Sequence, residues 1–397
     1  MDNTRIVTYL KNGVLADALY ENGHLTELSL LPAEQPSVLG NIYTGKVKNI
    51  VKNIQAAFVQ IENGMICYLP LEDAKHPVYT GPKKQKQLAE GDELLVQISR
   101  EAVKTKAPSV TTNISLTGKY LVMTTGNHII GYSSKLKSEE KTRLKELLKE
   151  WELPPVGLIV RTNAGQANLS DLKKEYDRLC RKYYFLTEQA VHRAVYSCVM
   201  RNRPAYLTSI LGSRSDSLKK ILTDHSELYE QIREFLEEEM PEDIEKLHLY
   251  EDRMLPLKSL YRLEKDVADA LSAKVWLKSG AYLVIEPTEA LTVIDVNSGK
   301  YTGGRNKQET IWKINQEAAK EIARQMRLRN LSGMILVDFM DMQEKDEQDA
   351  LLLQMREFLK RDPQKAAAVD MTELGLMEIT RMKQKKTLLE QAKECGL

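Results

Sequence analysis

LTVIDVNSG (residues 291–299) and GMILVDFMDM (residues 333–342) each run an apolar stretch into an aspartate. The segment between them, over 308–330, reads as a helix, so the whole is strand, crossover, strand. Such crossovers are right-handed in nearly all cases and lay both strands parallel in one sheet. Asp295 and Asp338 then emerge at the same sheet edge, at the mouth of a crevice. Two carboxylates held close repel unless one is protonated or a cation bridges them. Asn297, two residues beyond Asp295 on the same side of an extended chain, adds an amide, and this oxygen-donor set suits a hard ion such as Mg2+. A metal there would neutralise a scissile phosphate and lower the pKa of an attacking water, which makes phosphodiester hydrolysis the natural chemistry. Strand-end aspartates also cap helices and accept turn hydrogen bonds, and Asp341 reads as the cap of the helix that follows.

Outward from this pair, AYLVIEP (281–287) and a helix over 345–361 continue the alternation, which indicates an α/β layer with parallel strands. In EIARQMRLRNLSG (321–333), Arg324, Arg327 and Arg329 complement the helix dipole at a C-terminus. Arg324 and Arg327 share a face and could also hold the RNA backbone, the less favoured reading on spacing alone. Residues 5–30 alternate apolar and polar positions around Asn12-Gly13 and Asn22-Gly23, two hairpin dipeptides, and predict an antiparallel meander. Short strands within 36–120 (IYTGKVKNIV, AAFVQIE, MICYLPL, ELLVQIS) predict a small barrel, and the Lys-rich tract 80–92 an exposed loop. Phe58 and Tyr68 lie in adjacent strands of that barrel, where aromatics serve either as stacking platforms for single-stranded bases or as core.

From residue 120 onward the pattern turns to mixed α and β, with helices over 137–151 and from Leu169 through Arg193. The second helix carries Lys173, Lys174, Arg178, Arg181 and Lys182, a locally positive face. GLIVRTNAG (157–165) ends a strand in Arg161 and Thr162, a guanidinium fork and a hydroxyl that suit a terminal phosphate. The acidic, helix-rich stretch 215–253 is a poor surface for phosphate and reads as scaffold.

The 397 residues, at about 150 per domain, suggest two to four domains. With 42% hydrophobic and 28% charged residues, collagen-like and wholly disordered chains are excluded. Lysine plus arginine number 57 against 56 acidic residues, which excludes a uniformly basic coat while allowing local basic faces. Neither a bilayer-spanning apolar stretch nor a signal peptide is evident. Cys67, Cys180, Cys198 and Cys395 never form C-x-x-C, so the expected compartment is a reducing cytoplasm.

LTVIDVNSGKYTGG together with EIARQMRLRNLSGMILVDFMDM, in that order and spacing, resembles the catalytic region of the bacterial ribonuclease E/G endoribonucleases. GNIYTGKVKNIVKNIQAAFVQIENGMICYLPL (40–71) resembles the family's OB-fold RNA-binding module, GLIVRTNAG its 5′-phosphate sensor, and ELGLMEITRMK (373–383) the segment closing the catalytic subdomain. The resemblance implies an α/β multi-subdomain chain. Its parts would be a ribonuclease H-like subdomain from 1–37 plus 205–278, an inserted OB-fold over 38–120 and a 5′-sensor over 121–204, then a DNase I-like subdomain over 279–397. It further implies that Asp295 and Asp338 bind catalytic Mg2+ and that Asn297 orients water or phosphate. Arg161 and Thr162 would contact the RNA 5′-monophosphate, Phe58 and Tyr68 would hold the single strand, and Lys106 would touch its backbone.

The implied activity is Mg2+-dependent cleavage of single-stranded, AU-rich RNA in precursors of mRNA, rRNA or tRNA, leaving 5′-phosphate and 3′-hydroxyl ends. Family members carry a C-P-x-C zinc link, whereas this sequence has the lone Cys395, so a monomer or homodimer without that link is expected. Tyr68 stands where the family usually has phenylalanine, and the sensor loop reads NAGQAN rather than a basic variant. The alternative reading is a non-catalytic RNA-binding protein on the same scaffold. Cleavage of structured DNA is less favoured, because nothing resembles a duplex-groove reader.

Overall fold

The computed structural model describes the chain except for residues 1–2, 33–36, 83–86, 103–106, 127, 152–153, 214–217, 300–306 and 384. β1 (Asn3–Tyr9), β2 (Leu15–Glu21) and β3 (His24–Leu31) form the expected meander. Asn22 (φ 52°) and Gly23 (φ 77°) close its second hairpin in the left-handed region that a two-residue turn demands. Next come β4 (Ile42–Val51), β5 (Ala56–Gln60), β6 (Ile66–Pro70), β7 (Glu93–Arg100) and β8 (Ser109–Thr111). They are followed by β9 (Ser115–Thr117), β10 (Leu121–Thr124), β11 (Ile130–Tyr132), α1 (Ser138–Lys149), β12 (Gly157–Val160), α2 (Leu169–Tyr184) and β13 (Cys198–Met200). The chain continues through α3 (Ala205–Gly212), β14 (Leu218–Thr223), α4 (Ser226–Glu239), β15 (Leu247–Leu249), α5 (Leu257–Leu260), α6 (Leu263–Leu271) and β16 (Lys274–Trp276). Last are β17 (Tyr282–Pro287), β18 (Leu291–Asn297), α7 (Lys307–Leu328), β19 (Gly333–Asp338), α8 (Lys345–Leu359), β20 (Ala366–Met371), β21 (Leu376–Arg381) and α9 (Leu388–Glu394).

The chain divides into two units, one of Met1–Gln35, Leu218–Glu230 and Lys246–Leu397, the other of Pro36–Ser217 and Gln231–Glu245. In the first unit, one sheet has the order β15-β14-β1-β2-β3, with β14 parallel to both β1 and β15. The strand following β3 in that unit is thus β14, and the intervening residues fold elsewhere. The second sheet has the order β16-β17-β18-β19-β21-β20. Only β18 and β19 are parallel there, which corrects the expectation of a parallel layer. The short turns at 277–281, 288–290 and 372–375 can join only antiparallel neighbours, whereas α7 is long enough to cross over.

α7 buries Ile311, Ile314, Ala318, Ile322 and Met326, a stripe at helical spacing, against the second sheet, and α8 adds Leu351, Leu352 and Met355 to the same core. Along β18, Thr292, Ile294 and Val296 are buried while Val293 and Asp295 are exposed. A largely antiparallel sheet can leave one face to solvent in this way.

In the second unit, β4 pairs with β7 through its first half and with β5 through its second, so β4-β5-β6-β8-β7 closes into a five-strand barrel carrying β13 on β4. Ala57, Val59, Cys67, Leu69, Leu94 and Val96 fill its interior. β11-β12-β10-β9 form a separate four-stranded sheet. The helix expected through Arg193 is α-helical only to Tyr184 and continues as a π turn (Phe185–Gln189) and a 3-10 turn (Ala190–His192). The register change accompanies full burial of Leu186 and Ala190. The basic face of α2 is also corrected. Arg178 and Lys182 pair with Glu239 at 2.8 Å and 2.7 Å, so the acidic stretch supplies the counterions for these two cations.

Gly45 packs closely in the barrel, and a Cβ there would sit 2.6 Å from Val59 Cγ1. Gly45→Ala is expected to cost about 1–3 kcal/mol through overpacking. A lowered urea midpoint with retained far-UV dichroism would show it, and an unchanged midpoint would contradict the packing described.

Candidate active site

Parallel pairing of β18 with β19 sets Asp295 directly opposite Asp338 in the sheet register. Both carboxylates project from the open face, because their neighbours Ile294, Val296 and Val337 point into the core. Asn297 lies two residues on along the same face and donates from Nδ2 to Asp295 Oδ2 at 2.6 Å. Its amide oxygen is the atom left to face a ligand. Partial burial and the charges of Asp295 and Asp341 raise the Asp338 carboxyl above its ordinary value. Asp341 therefore acts on Asp338 electrostatically. It does not serve as the expected cap, since Glu344 occupies the N-cap of α8.

The donor set can be tested against Mg2+. Among the described residues no three His, Cys, Asp or Glu side chains gather into a metal cage. Two opposed carboxylates and an amide oxygen instead make an open, hard donor set, of the kind Mg2+ takes when waters and phosphate complete its coordination. Partial burial and the neighbouring acids raise the cost of keeping the Asp338 carboxylate ionised, a cost that a bound cation would relieve, so Asp295, Asp338 and Asn297 fit the ion.

Asn315 is a contributor missed in the sequence. This fully buried α7 residue donates to the Met340 carbonyl at 2.8 Å and accepts from the Met340 N–H at 3.1 Å. The amide thereby pins the backbone two residues beyond Asp338 and fixes where β19 releases its carboxylate. An asparagine at an apolar position of the α7 stripe was the available signal.

Arg324 and Arg327, expected to hold RNA, are corrected. Arg327 Nη2 pairs with Glu21 and Glu27 at 3.0 Å each. Arg324 binds Glu321 and the Leu25 carbonyl. Both guanidinium groups thus tie α7 to the β1–β3 sheet, and α7 amphipathicity alone could not reveal these distant partners.

In the barrel, Phe58 and Tyr68 form a cross-strand pair with ring centroids 6.2 Å apart in an edge arrangement. Strand alternation sends Ala57, Val59, Cys67 and Leu69 inward, so both rings stand half-buried on the outer wall. At the end of β12, Arg161 is half-buried, donating from Nη1 to the Gly118 carbonyl at 2.5 Å, and burial lowers its pKa. The Thr162 and Ser133 hydroxyls share a hydrogen bond at 2.9 Å. Arg143, also missed in the sequence, donates to the Ala164 and Gly165 carbonyls at 3.1 Å and 2.8 Å and holds the turn after Thr162. Lys106 lies outside the described residues.

Residues 115–384 match the model of the ribonuclease E/G family, and residues 39–113 that of the S1 RNA binding domain. The chain is 34% identical over 383 residues to ribonuclease G of Haemophilus influenzae, covering 94% of this chain and 78% of that protein. The figures for ribonuclease G of Escherichia coli strain K12 are 33%, 94% and 78%. Ribonuclease E of Synechocystis sp. is 32% identical over 392 residues, covering 96% of this chain and 57% of that protein.

Arg327→Ala is expected to lower stability by about 3 kcal/mol, because Glu21 and Glu27 lose their shared cation. It should leave the salt slope of single-stranded RNA binding unaltered, and a flatter slope would restore Arg327 to the RNA interface. Asn315→Ala removes two buried bonds and should cost about 2 kcal/mol. Hydrogen exchange at the Met340 amide would accelerate, and unchanged protection there would show that Asn315 holds nothing.

Proposed function

The chain belongs to the ribonuclease E/G family, and on that premise we propose that it is an endoribonuclease that cuts single-stranded RNA at the Asp295–Asp338 pair. The observation that carries the proposal is the register of β18 and β19, which aligns two exposed carboxylates beside an amide. A binding module gains nothing from two convergent acids beside phosphate. Mg2+ held by Asp295 and Asp338 would supply neutralisation of the scissile phosphate and a lowered pKa for the attacking water. Asn297, anchored on Asp295, would orient the phosphate or the water through its amide oxygen.

The outward Phe58–Tyr68 pair in the S1 segment would stack on bases, in keeping with an AU-rich, sequence-tolerant preference. We assign Lys106 a contact with the strand's backbone and Thr162 a contact with the 5′-monophosphate. The further N–H groups of Arg161, beyond the one given to Gly118, would join Thr162. Products would carry 5′-phosphate and 3′-hydroxyl ends. The substrates would be mRNA, rRNA or tRNA precursors in the cytoplasm, and the protein a monomer or homodimer. We also propose the ribonuclease H-like assignment for the β15-β14-β1-β2-β3 sheet, since its strands are drawn from both sides of an insertion, and the DNase I-like assignment for the sheet bearing the acids.

Cleavage of an AU-rich single-stranded RNA carrying 5′-monophosphate or 5′-hydroxyl, with Mg2+ or with EDTA, tests this reading. Asp295→Asn and Asp338→Asn should each lower the rate about a thousandfold while RNA binding persists. Preference for the monophosphate should shrink in Thr162→Val. Binding without cutting under every condition would replace the nuclease with a non-catalytic RNA-binding protein.

A further inference from the structure

The open face that carries the acids also carries an aromatic cluster. On β16, the edge strand, Trp276 is 60% exposed. It faces Tyr282 on β17 with ring centroids 5.3 Å apart, and Tyr282 in turn lies opposite Asn297. Lys274 Nζ stands 3.6 Å from the Tyr282 ring centroid and 4.2 Å from that of Trp276. The parallel row of the sheet runs Lys274, Val284, Asp295, Asp338, so the lysine is two strand spacings, about 10 Å, from the first carboxylate. Trp276, Tyr282 and Asn297 form the adjacent row, on the same face.

Packing does not explain this arrangement. The core of this sheet lies on its other face, and Val275, between Lys274 and Trp276, is the β16 residue that enters it. A mostly exposed indole at a sheet edge, next to a second ring and a cation, presents a flat π-surface together with N–H donors. Single-strand-binding proteins combine these two features, a stacking face for the base and a positive charge for the phosphate. A positive group here also complements the RNA strand and offsets the repulsion its phosphates meet at Asp295 and Asp338.

We infer that Trp276, Tyr282 and Lys274 form a nucleotide platform that stacks one base of the single strand flanking the scissile phosphate and pairs Lys274 with its backbone. The platform fixes the register of RNA across the carboxylates. This inference rests on the proposed function, and it adds the place where the strand leaves the cleavage site.

Two measurements test it. A single-stranded RNA about ten nucleotides long with 2′-O-methyl groups throughout, added to the full chain in EDTA, should quench tryptophan fluorescence saturably. In Trp276→Phe the quench should largely vanish while binding, read by anisotropy, persists. In cleavage with Mg2+, Trp276→Ala should raise KM about tenfold or more with kcat little changed, and Trp276→Phe should restore most of it. Lys274→Gln should raise KM and reduce the salt slope of binding by about one. Equal quenching in wild type and Trp276→Phe, or an unaltered KM in Trp276→Ala while Asp338→Asn remains inactive, would overturn the platform and leave the nuclease reading standing. A chain that cuts no RNA yet shows the Trp276-dependent quench would do the reverse.

Discussion

Two like charges held opposite each other by the β18–β19 register are the constraint on which the rest of this site depends. The backbone positions of Asp295 and Asp338 are held by the register, since a one-residue slip of either strand would turn its inward pair, Ile294 and Val296 or Ile335 and Val337, out of the core. Hydrophobic burial therefore maintains an electrostatic conflict. Partial burial, together with the charges of Asp295 and Asp341, raises the Asp338 carboxyl. A parallel pair is needed for this, since only parallel strands bring two C-terminal ends to one edge, and α7 is the crossover that makes the pair parallel.

α7 connects that conflict to the remainder of its unit. One of its faces lies on the sheet that bears the acids, and from it Asn315 reaches the backbone beyond Asp338. Another face carries Arg324 and Arg327 to Leu25, Glu21 and Glu27, beside the buried Arg5–Asp17 pair at 2.7 Å. Glu27 is shared by Arg5 and Arg327, whose guanidinium groups outweigh burial and hold its carboxyl below the usual range. Arg381 and Asp362, buried and paired at 2.7 Å, close β21 onto the loop after α8. Removing one member of such a pair strands the other, so these contacts define orientation more than they add stability.

The second unit solves a similar problem with neutralised lysine and arginine. Lys119, fully buried, reaches Glu242 and Asp243 at 2.7 Å and 2.8 Å, and Glu175 accepts from the backbone N–H groups of Lys119, Tyr120 and Leu121. The same turn offers the Gly118 carbonyl to Arg161. Part of this chain's balanced charge is thus paired inside the fold, while Lys274 stays on an open surface.

The meander, the barrel, the crossover and the convergence of Asp295 with Asp338 were legible in the sequence, because each follows from local rules: hairpin dipeptides, strand alternation and the geometry of a helix between two strands. The pairing of Phe58 with Tyr68 in adjacent strands was legible for the same reason, whereas their place on the outer wall rather than in the core came with the barrel's closure. Partners at long sequence separation were not. Arg327 looks like a phosphate binder until Glu21 and Glu27 arrive from a distant segment, the positive face of α2 loses Arg178 and Lys182 to Glu239, and Asp341 looks like a cap until Glu344 takes that place. The antiparallel order of the last sheet and the open face that gathers Trp276, Tyr282, Lys274 and the acids came only with tertiary structure. Local backbone chemistry determined the elements and the carboxylate pair, and packing between distant segments decided which charges are neutralised and which remain available to a ligand.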